Sequence, residues 1–63
     1  MRIFKVKILM EVHPNYCYSE TFVEDLSGTE HLTRKAALEE LILAQENPLL
    51  VGYEMWVAEY EKN

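Results

Sequence analysis

Cys17, His13 and His31 are the residues of this chain whose types suit nucleophilic or metal chemistry. A nucleophile needs a base within hydrogen-bond reach and a third group that orients the base. His13 and Cys17 instead flank a Pro-Asn turn signal, where nothing in the pattern keeps water out. The three also lack the short paired spacing, such as Cys-x₂-Cys, of a structural metal site. Eleven Asp and Glu supply carboxylates, but acid–base work needs two of them facing each other across a cleft. Gly28 and Gly52 are the only glycines, so no phosphate-cradling loop is present. The expectation is a protein that is not an enzyme, with no metal and no cofactor. Arg34 and Lys35 form a different kind of candidate. They fall in the first turn of an expected helix, where the dipole disfavours cations, and Glu46 falls at the end that disfavours anions. With the exposed helix N–H groups, the two cations make a candidate anion contact.

The elements that must position these residues are legible in the spacing. Phe4, Val6, Ile8, Met10 and Val12 alternate, the period of one face of a strand. Ile3, Lys5, Lys7, Leu9 and Glu11 fall on the other face. His13-Pro14-Asn15 reads as a hairpin turn. A second, weaker strand follows over Tyr16–Leu26, with Tyr16, Tyr18, Phe22 and Leu26 on one face and Cys17, Thr21 and Val23 on the other. Glu20 and Glu24 interrupt it, as edge strands are often charged. Thr33 is placed to cap a helix running to Glu46, with Leu38, Leu41, Ile42 and Gln45 sharing a face. Asn47-Pro48 ends that helix. Leu49–Tyr60 alternates again: Val51, Tyr53, Met55 and Val57 against Glu54, Trp56, Ala58 and Tyr60, with Gly52 early in the strand.

The most apolar strand belongs in the centre, with a hairpin on one side and a helical return on the other. The fold expected is therefore α+β: a three-stranded antiparallel sheet of order 2-1-3, one helix on one face, ββαβ, in a single domain over residues 1–63. Its core is expected to be Phe4, Val6, Ile8, Met10, Leu38, Leu41, Ile42, Val51, Tyr53, Met55 and Val57. Six basic residues stand against eleven acidic ones, a net charge of −5. That balance opposes nucleic acid and anionic membranes and suits a basic protein partner. Charges at Arg2, Lys5, Lys7 and Glu11 deny the N-terminal segment the apolar run of a signal peptide. No apolar run approaches the length of a membrane helix. With one cysteine, the expected setting is a reducing cytoplasm.

One helix cannot cover both faces of a sheet. Ile3, Lys5, Lys7, Leu9, Trp56, Ala58 and Tyr60 share the face away from it, and Trp and Tyr are enriched among interface hot spots. That face is the expected interaction surface. The two leading strands, the Thr-capped helix Thr33–Glu46 and the strand Val51–Tyr60 entered through Asn47-Pro48 together resemble small phage-encoded accessory proteins, including short inhibitors of host RNA polymerase and of CRISPR nucleases. The resemblance carries over no functional residue. It implies work done by occupying a partner's surface. The expected function is thus a non-enzymatic protein-interaction or regulatory module, of phage type, acting on a host protein. The alternatives are a domain that self-associates as a homodimer through the open sheet face, and a single-stranded nucleic-acid platform built on Lys5, Lys7 and Trp56.

Overall fold

The computed structural model describes the backbone of residues 1–63 and every side chain but that of Asn15. The alternating N-terminal segment forms strand β1 (Arg2–Asn15), followed by β2 (Tyr18–Asp25), helix α1 (Arg34–Glu46) and β3 (Met55–Glu61). The three strands make one antiparallel sheet of order β2-β1-β3. This is the expected ββαβ fold. Among the described residues no helix is long and apolar enough to cross a membrane.

The two outer strands are staggered along β1. β3 pairs with Arg2–Ile8, whereas β2 pairs from Lys7 to the hairpin end. On the β2 side of the early residues, a single bridge between His31 and Phe4 takes the place of a strand. Fourteen residues of strand at about 3.3 Å each span about 46 Å, close to the 44 Å longest dimension of the molecule. The other dimensions are 28 and 12 Å, so the shape is a long thin plate.

Two punctuation marks in the sequence act differently from expectation. Pro14 does not end β1; the strand runs through it and the turn falls on Tyr16-Cys17. A register irregularity between Val12 and Asn15 accommodates it, and bulges are where a strand tolerates a residue without an N–H. Gly52 lies in a turn, not in β3, which starts only at Met55. Its φ of 93° belongs to the left-handed region open to glycine. Leu50 N–H to the Asn47 carbonyl and Tyr53 N–H to the Leu50 carbonyl fold this segment.

The helix begins as its sequence requires. Thr33 Oγ1 accepts from the Ala36 N–H at 3.1 Å, satisfying one of the otherwise unpaired first-turn donors. Its sheet-facing side, however, is rotated by about one residue from the expected one. Ala37 and Ala44 are buried and Leu41 is half-buried, while Leu38 is 40% and Ile42 53% exposed. The reason is volume. Two alanines about two helical turns apart let α1 lie close across β1 and β3, over Val6 (2% exposed) and Ile8 (4%), where leucines would hold it off. Phe4, Met10, Met55 and Val57 are half-buried around that contact, whereas Val51 and Tyr53 of the expected core are exposed. The rotation is measurable: Ala37→Leu should destabilise by about 1–3 kcal/mol through overpacking. Leu38→Ala, by contrast, should change stability by no more than about 0.5 kcal/mol, as outward-facing positions do. Urea midpoints compare the two, and the reverse ranking would restore the leucine-inward helix.

Candidate functional site

Opposed residues of an antiparallel pair place their side chains on the same face. The register Ile3–Tyr60, Lys5–Ala58 and Lys7–Trp56 therefore brings six of the seven expected interface residues onto the sheet face opposite α1, and Leu9, two residues beyond Lys7, is the seventh. On the other side of β1 the same face receives Asp25, opposite Lys7, and Val23, opposite Leu9. This face is less open than the sequence suggests. Ile3 is only 5% exposed, and Leu9, Trp56 and Ala58 are half-buried; Tyr60, at 40%, is the most exposed apolar member of the expected seven, and Val23 of β2, at 51%, is more exposed still.

Charged side chains do the covering. Asp25 is held by both lysines: Lys7 Nζ donates to Oδ1, and Lys5 Nζ donates to Oδ2 at 3.2 Å. Lys7 also stands 5.8 Å over the Tyr60 ring, within cation–π range. Lys62 Nζ donates to Glu30, joining the chain past β3 to the loop before α1. Lys5 and Lys7 are thus largely covered on this face while their heads find a carboxylate. Hydrogen bonds from Lys7 and then Lys5 hold the Asp25 carboxyl below its ordinary range, and Lys62 does the same for Glu30. The hydrogen bond to Asp25 raises Lys7 above the usual lysine value against a smaller opposing effect of desolvation.

The two cations of the expected anion contact sit apart from this face. Arg34 stacks its guanidinium 5.4 Å from the Phe4 ring, which gives a physical reason for a cation in the first helical turn. Lys35 is exposed beside it. The histidines are separated as well. His13 lies 3.4 Å from Glu11 near the hairpin end, and His31 pairs with Phe4 at the opposite end of β1. Nine residues of strand put about 30 Å between those places. The Cys17 thiol is exposed at the hairpin turn.

Sequence reasoning missed one cluster. His31 Nε2 lies 2.6 Å from Glu40 Oε1, and Ser27 Oγ lies 2.6 Å from Glu40 Oε2 and 3.0 Å from Thr29 Oγ1. The carboxylate stands between hydroxyl and imidazole, the reverse of the order in which a histidine would activate a serine. What the arrangement does is pin the loop from Ser27 to His31 against α1. Its members come from a loop and a helix, with no spacing that marks them in advance.

With this geometry in view, no family model matches the chain, and neither a curated protein nor a solved structure matches it.

The lysine–Asp25 cluster makes a pH prediction whose sign can be worked out. A depressed carboxyl contributes stability above its unfolded value and loses it as pH falls through the folded one. A raised lysine contributes below its unfolded value and loses it as pH rises through the folded one. The pairing is therefore complete at neutral pH and lost in acid and in strong alkali. Asp25→Asn should lower the thermal midpoint at pH 7, and the difference from wild type should close by about pH 2, below the ordinary carboxylate range. An unchanged difference at the two pH values would mean that the ion pairing is not its source.

Proposed function

We propose that the chain is a non-enzymatic protein-interaction module that works by occupying part of a partner's surface, in a cytoplasmic setting. One observation carries this reading: the molecule keeps more surface than its mass requires. The usual scaling for folded monomers gives about 4,200 Å² at this size, against 4828 Å² here for 7.4 kDa. The excess, about 600 Å², approaches the roughly 800 Å² that each side contributes to a standard interface. It also has the right chemistry. Fourteen large hydrophobic side chains are exposed among the described residues, against five buried apolar residues in the core. Monomers expose single apolar residues routinely, but an excess on this scale favours burial against something else.

The resemblance to phage-encoded accessory proteins implies the same mode of action, and a host protein as the partner follows from it. The nucleic-acid alternative is less well supported. Lys5 and Lys7, the cations it needs beside Trp56, are both tied to Asp25, and the net charge is −5.

The test is affinity capture of the intact chain from a lysate of its native cells, with and without nuclease. A defined protein recovered at similar yield in both arms is the expected result. Nuclease-sensitive recovery would transfer the case to nucleic acid. Recovery of the chain alone, with light scattering showing twice the monomer mass, would make it a homodimer.

A further inference from the structure

Resting on that reading, we propose that the outer face of α1 is the docking surface, and that its occupant is a basic amphipathic segment of the partner protein. Helix geometry sets the stage. With Ala37, Leu41 and Ala44 toward the sheet, Leu38 and Ile42 lie one turn apart on the outside and Leu43 lies toward the other flank. A helix that is apolar on both sides is a helix that expects cover on both sides. β1 and β3 cover one side of α1; among the described residues, no strand packs against the other.

Charge selects the occupant. The molecule's cations are nearly all committed internally: Lys5 and Lys7 to Asp25, Lys62 to Glu30, Arg2 to Glu59 and Glu61, and Arg34 to the Phe4 ring. Among the described residues Lys35, one turn before Glu39, is the remaining one. Glu39 and Glu46, by contrast, flank Ile42 on the outer face with no ion-pair partner among the described residues. Glu46 sits in the last helical turn, where no basic residue is present and the carbonyl ends already carry partial negative charge. A Lys or Arg from outside would neutralise the Glu46 carboxylate and that partial charge together, and a second, one turn or two along, would meet Glu39. A second copy fits worse, since it would add another chain of net charge −5 to the same seam. A partner with leucine-like side chains at helical spacing, flanked by lysine or arginine, meets both the apolar and the acidic parts of the face.

The experiment uses the full chain and two synthetic peptides: one with Leu at i and i+4 and Lys on its flanks, and the same peptide with Glu for every Lys. Calorimetry and amide chemical-shift mapping report binding and place. Expected is binding of the Lys peptide alone, with shifts centred on residues 38–46. Ile42→Lys should weaken it by roughly tenfold or more, as loss of a central anchor does. The double variant Glu39→Gln, Glu46→Gln should weaken it several-fold and flatten its salt dependence. Glu20→Gln with Glu24→Gln, which removes equal charge from β2, should leave it unchanged. Circular dichroism confirms that these exposed substitutions keep the fold. Equal loss in the two double variants would reduce the effect to general attraction, and wild-type binding by Ile42→Lys would remove the helix face; either overturns the proposal. A concentration-dependent dimer that Ile42→Lys abolishes would give the face to a second copy instead. In the capture experiment, a partner that Ile42→Lys still retains sinks this docking site but leaves the interaction module standing. Absence of any partner sinks the module itself.

Discussion

The close approach of α1 to the sheet depends on Ala37 and Ala44, and most of the molecule's arrangement follows from it. A 13-residue helix is about 20 Å long, less than half the length of β1. Laid over Val6 and Ile8, it shields β1 and β3 and leaves β2 bare on both faces. Side chains that would fill a thicker core in a larger protein are consequently displaced to the rim. The loop from Ser27 to His31 supports this placement by tying the approach to α1 through Glu40, and the backbone bridge between His31 and Phe4 fixes it in register with β1.

Much of this was legible in the residues, for reasons that can be stated. The alternation through Phe4, Val6 and Ile8 sets both the strand and its faces, because a period of two leaves no third choice. Thr33 has the chemistry of a cap and acts as one. The strand order followed from putting the most apolar strand between the others. The seven residues of the candidate interface reached a single face on the same logic of alternation. The helix face departs from expectation because the most apolar residues are not the ones turned inward. Leu38 and Ile42 are more apolar than Ala37 and Ala44, but close packing selects on size. Pro14 and Gly52 misled in opposite directions, one read as a break where a bulge absorbs it, the other read as strand where a turn needs its positive φ.

What was not legible was the covering of the sheet's open face. Lys5 and Lys7 are obvious in the sequence, yet their shared partner Asp25 becomes their neighbour only through the register of β1 with β2. The same holds for Lys62 and Glu30, 32 residues apart. Ion pairs of this kind are set by tertiary register, and single-sequence patterning has no access to it. They convert an apolar platform into one whose Tyr60 ring lies under the Lys7 ammonium. The outermost strand answers a related problem. β2 carries Glu20 and Glu24 along an exposed edge, and charge there discourages further strands from adding on.

The pairing of the chain's two ends has a mechanical meaning. The Met1 carbonyl accepts from the Lys62 N–H at 2.7 Å, so β1 and β3 begin and finish side by side at one end of the plate. Tension applied to residues 1 and 63 would load the hydrogen bonds between these strands one at a time, starting from that end. Parallel strands pulled along their length would instead share the load across all bonds together. Peeling in series needs little force at any instant, and it opens the sheet from Arg2 and Glu61 toward Ile8 and Met55. As β3 lifts, α1 loses half of the surface on which it rests. A motor that draws in polypeptide by one end while the other is anchored would therefore take this fold apart strand by strand, with no single high barrier to cross.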